Sequence, residues 1–205
     1  MDYIKPLEVV KTMVTAGTAK AGLGVKDLLI RGFLSGALLG FATSLAFTAT
    51  AQTNTPLVGA LVFPVGFVMI VLLGLELVTG SFALVPLAAV DGRASWQQVG
   101  ANLFWVFVGN LIGSVVYGYL LYICLGGLTG GATAGIAAKL VSVAEAKTTA
   151  YAAQGTTGLV VVFVKAVLCN WMVCLGVVMA MTSQSTIGKI AAAWLPILTF
   201  FAQGF

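Results

Sequence analysis

The chain has 205 residues, of which 60% are hydrophobic and only 8% charged, with ten basic, six acidic and no histidine side chains. A typical soluble domain is about 25% charged, so this composition argues against a soluble enzyme, a nucleic-acid binder or a disordered scaffold and makes lipid the solvent. The lack of histidine excludes a His-based metal site or triad, and Cys124, Cys169 and Cys174 all lie in apolar runs that suggest no disulfide framework.

Met1–Arg31 alternates charges around no apolar core and does not read as a signal peptide. Pro6 to Ala21 predicts an amphipathic helix lying on the membrane surface, with Leu7, Val10, Met13 and Val14 near one face and Lys11 and Lys20 on the other. Lys26, Asp27 and Arg31 mark an interface, and residues 32–52 form the first span, where Gly32, Gly36 and Gly40 make a stripe for close helix approach. Residues 57–90 follow. As one straight helix they would extend about 51 Å at 1.5 Å per residue, against a hydrocarbon thickness of about 30 Å. The stretch must be broken, and the sequence Gly74-Leu-Glu-Leu-Val-Thr-Gly80-Ser81 supplies the place. Irregular backbone at membrane depth is tolerated only where protein or a water-filled cavity covers it, so a broken helix marks a candidate ion or substrate site.

Ser95 and Gln98 form a capping-box pattern that opens a span over 96–125, with Gly109-Asn-Leu-Ile-Gly113 inside it. Gly126 to Gly135 reads as a glycine-rich turn. Lys139, Glu145 and Lys147 belong to an external loop with a short helix. Residues 158–182 form a further span, and 190–205 the beginning of another. The lysines before residue 32 place the N-terminus on the cytoplasmic side. No soluble domain interrupts the chain, which is expected to be a single membrane domain over residues 1–205.

Two ionisable groups fall within spans. A charge at the bilayer centre costs about 2.5–3.5 kcal/mol on insertion scales, so such groups generally face inward. Lys165 lies near the start of its span, and snorkelling to the interface competes with a functional role. Glu76 is expected to cap the amides freed by the helix break, with a structural ion pair as the alternative. Asn170 is either a pore group or an interhelical hydrogen bond. Thr79 can bond its own helix, and Phe63, Phe67 and Phe200 can be packing. The residues alone give a polytopic helical bundle with a broken helix and a transport path.

These same residues carry a resemblance. Gly74-Leu-Glu-Leu-Val-Thr-Gly80, Gly92-Arg-Ala-Ser-Trp96, Gly109-Asn-Leu-Ile-Gly113, Lys165-Ala-Val-Leu-Cys-Asn-Trp171 and Phe200-Phe-Ala-Gln-Gly-Phe205 resemble, in order and spacing, successive motifs of the formate/nitrite transporter family. The resemblance implies an all-α, aquaporin-like membrane bundle with broken second and fifth helices. The intact family has six spans, of which about four and a half are present here. It further implies a homopentamer with one pore per subunit, no cofactor and no nucleic-acid partner. The cargo would be small monovalent anions of weak acids, nitrite or formate with bicarbonate as a further candidate, passing with a proton linkage.

By the same resemblance Leu77 forms the cytoplasmic-side constriction, Thr79 offers a hydroxyl to the anion, and Phe63 and Phe67 line the wall. Asn170 is the polar group near the pore centre and Phe200 an apolar gate. Lys26, Lys147 and Lys165 attract anions. The family pattern continues past Phe205 with Glu-His, so the sequence is expected to be a C-terminally truncated member. Its membrane would be a bacterial inner membrane, or a plasma or plastid membrane in an alga. A neutral-solute channel of the aquaporin type would share the broken helix, but the sequence has no Asn-Pro-Ala pair. A non-transporting assembly subunit would explain the glycine stripes without explaining Glu76 beside the break.

Overall fold

The computed structural model describes residues 2–130 and 135–205, and these are helical apart from short connections. Helix α1 covers Pro6–Ala21. Pro6 sits in its first turn, Glu8 near the N-terminus and Lys20 in the last turn, as the helix dipole favours. It does not simply lie on a surface. Val9, Val14 and Gly17 are buried, and a Cβ on Gly17 would overlap the Leu84 carbonyl of the helix above it. Leu7 and Val10, on the same face as Val14 by helical spacing, stay exposed.

Helix α2 runs Val25–Thr53 and stops at Asn54, which takes the left-handed conformation at φ 52°. It begins earlier than expected because Lys26, Asp27 and Arg31 occupy its first turns rather than a separate interface segment. Twenty-nine residues make about 43 Å of helix, enough for charged turns to project beyond the hydrocarbon.

Residues 56–90 form three helices, α3 (Pro56–Val62), α4 (Pro64–Leu72) and α5 (Val78–Val90). The dislocation at Phe63 follows from Pro64, which lacks an N–H and crowds the preceding turn. The larger interruption, residues 73–77, is the expected break. Gly74 ends α4 at φ 63°, with Gly74 N–H on the Val71 carbonyl and Leu75 N–H on the Ile70 carbonyl at 3.0 Å. This is a Schellman closure, which needs a residue free to adopt the left-handed region.

Helix α6 covers Trp96–Cys124 and opens with the anticipated capping box: Gln98 N–H donates to Ser95 Oγ and Ser95 N–H to Gln98 Oε1. The glycine stripes of α2 and α6 face each other. A Cβ on Gly109 would sit 2.8 Å from the Leu29 carbonyl oxygen, and Cβ atoms on Gly36 and Gly113 would overlap the Asn110 and Phe33 carbonyls. After a 3-10 turn at Gly127–Thr129, residues 131–134 of the glycine-rich turn lie outside the described residues. Short helices α7 (Ile136–Lys147) and α8 (Thr149–Ala152) lead to α9 (Gly155–Ala180) and α10 (Thr186–Gln203). Among the described residues four helices, α2, α6, α9 and α10, are long and apolar enough to cross a membrane. Gly204, at φ 75°, closes α10 by the same device that closes α4.

The N-terminus is tied to the α9–α10 turn. Ile4 N–H donates to the Thr182 carbonyl at 2.8 Å. Asp2 accepts from the Ser183 hydroxyl and from the Gln184 and Ser185 amides, each at 2.7 Å. Those bonds, led by the one from Ser183, hold the Asp2 carboxyl down at about 2. The end of the chain that carries α1 is therefore latched to the start of α10.

Candidate pore at the helix break

A chain that leaves a helix and starts another exposes unpaired amides at the new N-terminus. Here Val78 N–H donates to Asn110 Oδ1 at 3.0 Å. Asn110 Nδ2 lies 2.9 Å from the Gly32 carbonyl, 2.8 Å from Ser35 Oγ and 2.9 Å from the Glu76 carbonyl. Ser35 Oγ also bonds the carbonyls of Gly32 and Glu76. One amide side chain on α6 thus joins α2, the break and α5. Glu76 does not cap an amide, contrary to the expectation. Extended backbone sends successive side chains to opposite sides. Leu77 joins the apolar core, while the Glu76 carboxylate, in a residue 1% exposed, meets Lys20 of α1 at 2.7 Å. Its second oxygen, Oε2, has no protein partner.

Two hollows flank the break. One, of about 150 Å³, is lined by Lys20, Phe67, Leu77, Gly80 and Val177, with Ala16 of α1 at its edge. The other is an open cleft of about 610 Å³ lined by Thr79, Phe82, Phe163, Asn170 and Trp171. Leu77 and Thr79 are two residues apart, at most about 7 Å of chain. Leu77 lies on the wall of the smaller hollow and Thr79 on the wall of the larger.

Phe63, Phe67 and Phe200 gather on the Leu77 side. Phe63, Phe67, Leu77, Val173 and Phe200 belong to one buried cluster. Phe63 meets Phe200 edge-on at 5.9 Å and stacks on Phe201 at 4.1 Å. Thr79 and Asn170 stand on the other side and are linked by a thiol. Cys174 Sγ donates to the Thr79 carbonyl at 3.3 Å, and Asn170 Nδ2 reaches Cys174 Sγ at 3.6 Å. Asn170 Oδ1 is buried with no protein partner, an acceptor left for something else.

Lys26, Lys147 and Lys165, expected to attract anions, line neither hollow. Lys26 is exposed in the first turn of α2, and the lysine on the wall of the smaller hollow is Lys20. Lys147 is exposed and donates to the Gly204 carbonyl at 3.1 Å, at the end of α10. Lys165 turns back over the Tyr151 ring, 5.9 Å from its centroid, toward the start of its helix. Sequence reasoning missed Lys20, Ser35, Asn110 and Cys174. Lys20 was legible only as part of a basic helix face, and Asn110 lay inside a motif read for its glycines.

Comparison with known proteins fits this geometry. The family model described as formate/nitrite transporter matches residues 7–205. The whole chain aligns at 33% identity with 76% of the uncharacterized transporter YrhG of Bacillus subtilis (strain 168). It aligns at 30% identity with 77% of the formate channel BtFdhC of Bacillus thuringiensis. A solved FNT family ion channel superposes with a TM-score of 0.81 over 97% of this chain and 78% of the other, at 29% identity. The chain is an integral membrane protein, and it belongs to the formate/nitrite transporter family.

Proposed function

We propose that the chain conducts small monovalent anions of weak acids, formate and nitrite first, through a path that crosses the break between Leu77 and Thr79. The observation that carries this reading is the pair of hollows flanking that break, one bearing a lysine and the other an unpartnered amide oxygen. The relative named a formate channel supports the substrate class.

A bare anion is costly to bring into an apolar layer. Lys20 and the exposed Lys26 on the cytoplasmic side, and Lys147 and Lys165 on the other side, raise the local anion concentration. Leu77 and Phe200, backed by Phe63 and Phe67, strip water at the constriction. Desolvation disfavours the charged form there, so the cargo crosses the apolar layer as the neutral acid, with a proton taken up on one side and released on the other. The Thr79 hydroxyl and the Asn170 amide can hydrogen-bond either form, which gives selection by size rather than by strict charge. Bicarbonate, one atom larger than formate by its hydroxyl, falls within the same class.

The N-terminus faces the cytoplasm, and five copies assemble with one path each. Native mass measurement tests the assembly. The function is tested by proteoliposomes loaded with a pH indicator and challenged with formate, nitrite and bicarbonate under opposed proton gradients. Uptake that accelerates with an inward proton gradient supports the reading. Water or glycerol permeation with no anion uptake replaces it with a neutral-solute channel.

A further inference from the structure

The one ammonium on the wall of the smaller hollow is not free. Lys20 Nζ lies 2.7 Å from Glu76 Oε1, with side-chain exposures of 22% and 2%. The wall beside it is otherwise apolar, including Ala16, Phe67, Leu77 and Val177, and Glu76 itself is not on that wall. Both partners are fixed by contacts that no substrate touches. The Glu76 carbonyl is bonded by Asn110 and Ser35, and the Lys20 carbonyl accepts from Asn102 Nδ2 at 3.0 Å. A lone ammonium against apolar walls would retain an anion, whereas conduction needs a site weak enough to leave. A carboxylate locked behind the ammonium weakens its field without confronting the cargo.

We propose that Glu76 sets the strength of the Lys20 anion site, so that the hollow attracts an anion and still releases it. This rests on the anion-path reading above, but its charge can be measured without transport. The parent for the test is the full chain with Cys124, Cys169 and Cys174 changed to serine and Ala16→Cys placed on the hollow. The readout is the ratio of modification rates by an anionic and a cationic methanethiosulfonate reagent.

In Glu76→Gln the anionic rate rises and the cationic rate falls, each by roughly three- to fiftyfold, the effect of deleting one charge about 7 Å away at an effective dielectric between 80 and 20, so the ratio rises by more than either. The rise shrinks as salt increases. In Lys20→Gln/Glu76→Gln the ratio returns to within about threefold of the parent, because a pair already balanced has been replaced by a neutral one. That double variant carries the test if Glu76→Gln fails to assemble: a fall of about tenfold or more relative to the parent, as when a lone ammonium is removed, overturns the proposal. An unchanged ratio in a correctly assembled Glu76→Gln overturns it as well. In flux assays Glu76→Gln lowers both the half-saturating formate concentration and the maximal rate, whereas a carboxylate that only anchors α1 would lower the rate alone. A ratio that responds as stated in a protein that moves no formate keeps the role of Glu76 and rejects the anion path.

Discussion

Asn110 is the side chain on which the helix break depends, and Asn110→Leu measures that dependence. The residue is 9% exposed and makes four polar contacts, two with the break and the first amide of α5 and two with α2. They are not equal. Ser35 Oγ still reaches the Gly32 and Glu76 carbonyls in the variant, so those acceptors are only partly deprived. The Val78 N–H loses its partner outright. A buried donor left unpaired costs about 1–3 kcal/mol, and interhelical polar contacts in bilayers average about 0.6 kcal/mol each. Either count gives a loss of roughly 1–3 kcal/mol. Ser35→Ala should cost less, about 1 kcal/mol, because Asn110 keeps both carbonyls. Reversible unfolding in mixed micelles, followed by tryptophan fluorescence, compares the two variants. Asn110→Leu within about 0.5 kcal/mol of wild type, with unchanged formate flux, would refute the assignment of the break to this amide.

Other consequences follow from the same geometry. Gly36→Leu drives a side chain into the Asn110 carbonyl and should abolish assembly on size-exclusion chromatography, whereas Gly100→Leu, at a position with nothing within 4 Å, should be tolerated. Asp2 has its carboxyl depressed from 3.8 to about 2. Its stabilisation is therefore complete above the unfolded value and is lost as pH falls through the folded one. Asp2→Ala should speed hydrogen exchange of the Gln184 and Ser185 amides at neutral pH; equal exchange in both proteins would remove the latch. Thr79→Val keeps shape and deletes a hydroxyl, so formate flux should fall without any gain in lactate flux. Phe200→Ala opens the apolar cluster and should raise lactate flux relative to formate.

The helix break was legible because its cause is arithmetic: residues 57–90 are too long for one crossing, and two glycines bracket the charge within them. The start of α1 was legible from Pro6 and the start of α6 from Ser95 and Gln98, all local signals. The kink at Phe63 had a signal in Pro64 that the length argument overshadowed. What stabilises the break could not be read in the same way. Glu76 and Lys20 are 56 residues apart, and Val78 and Asn110 are 32 apart. Nothing local tells an asparagine in a glycine motif that its partner is another helix's first amide. Lys20 and Lys26 illustrate the same limit. Both are lysines near the entry of α2, and only the packing of α1 against α5 turns Lys20 into the hollow.

The central claim is that cargo crosses the layer between Leu77 and Thr79. The most direct test is paired uptake of formate and lactate by proteoliposomes holding equal amounts of wild type and Leu77→Ala, each at two pH values. The account predicts that shortening Leu77 raises lactate uptake relative to formate, leaves formate no slower, and makes both less dependent on an inward proton gradient as water enters the layer. Identical rates, ratio and pH dependence in the two proteins would mean that the path does not pass Leu77.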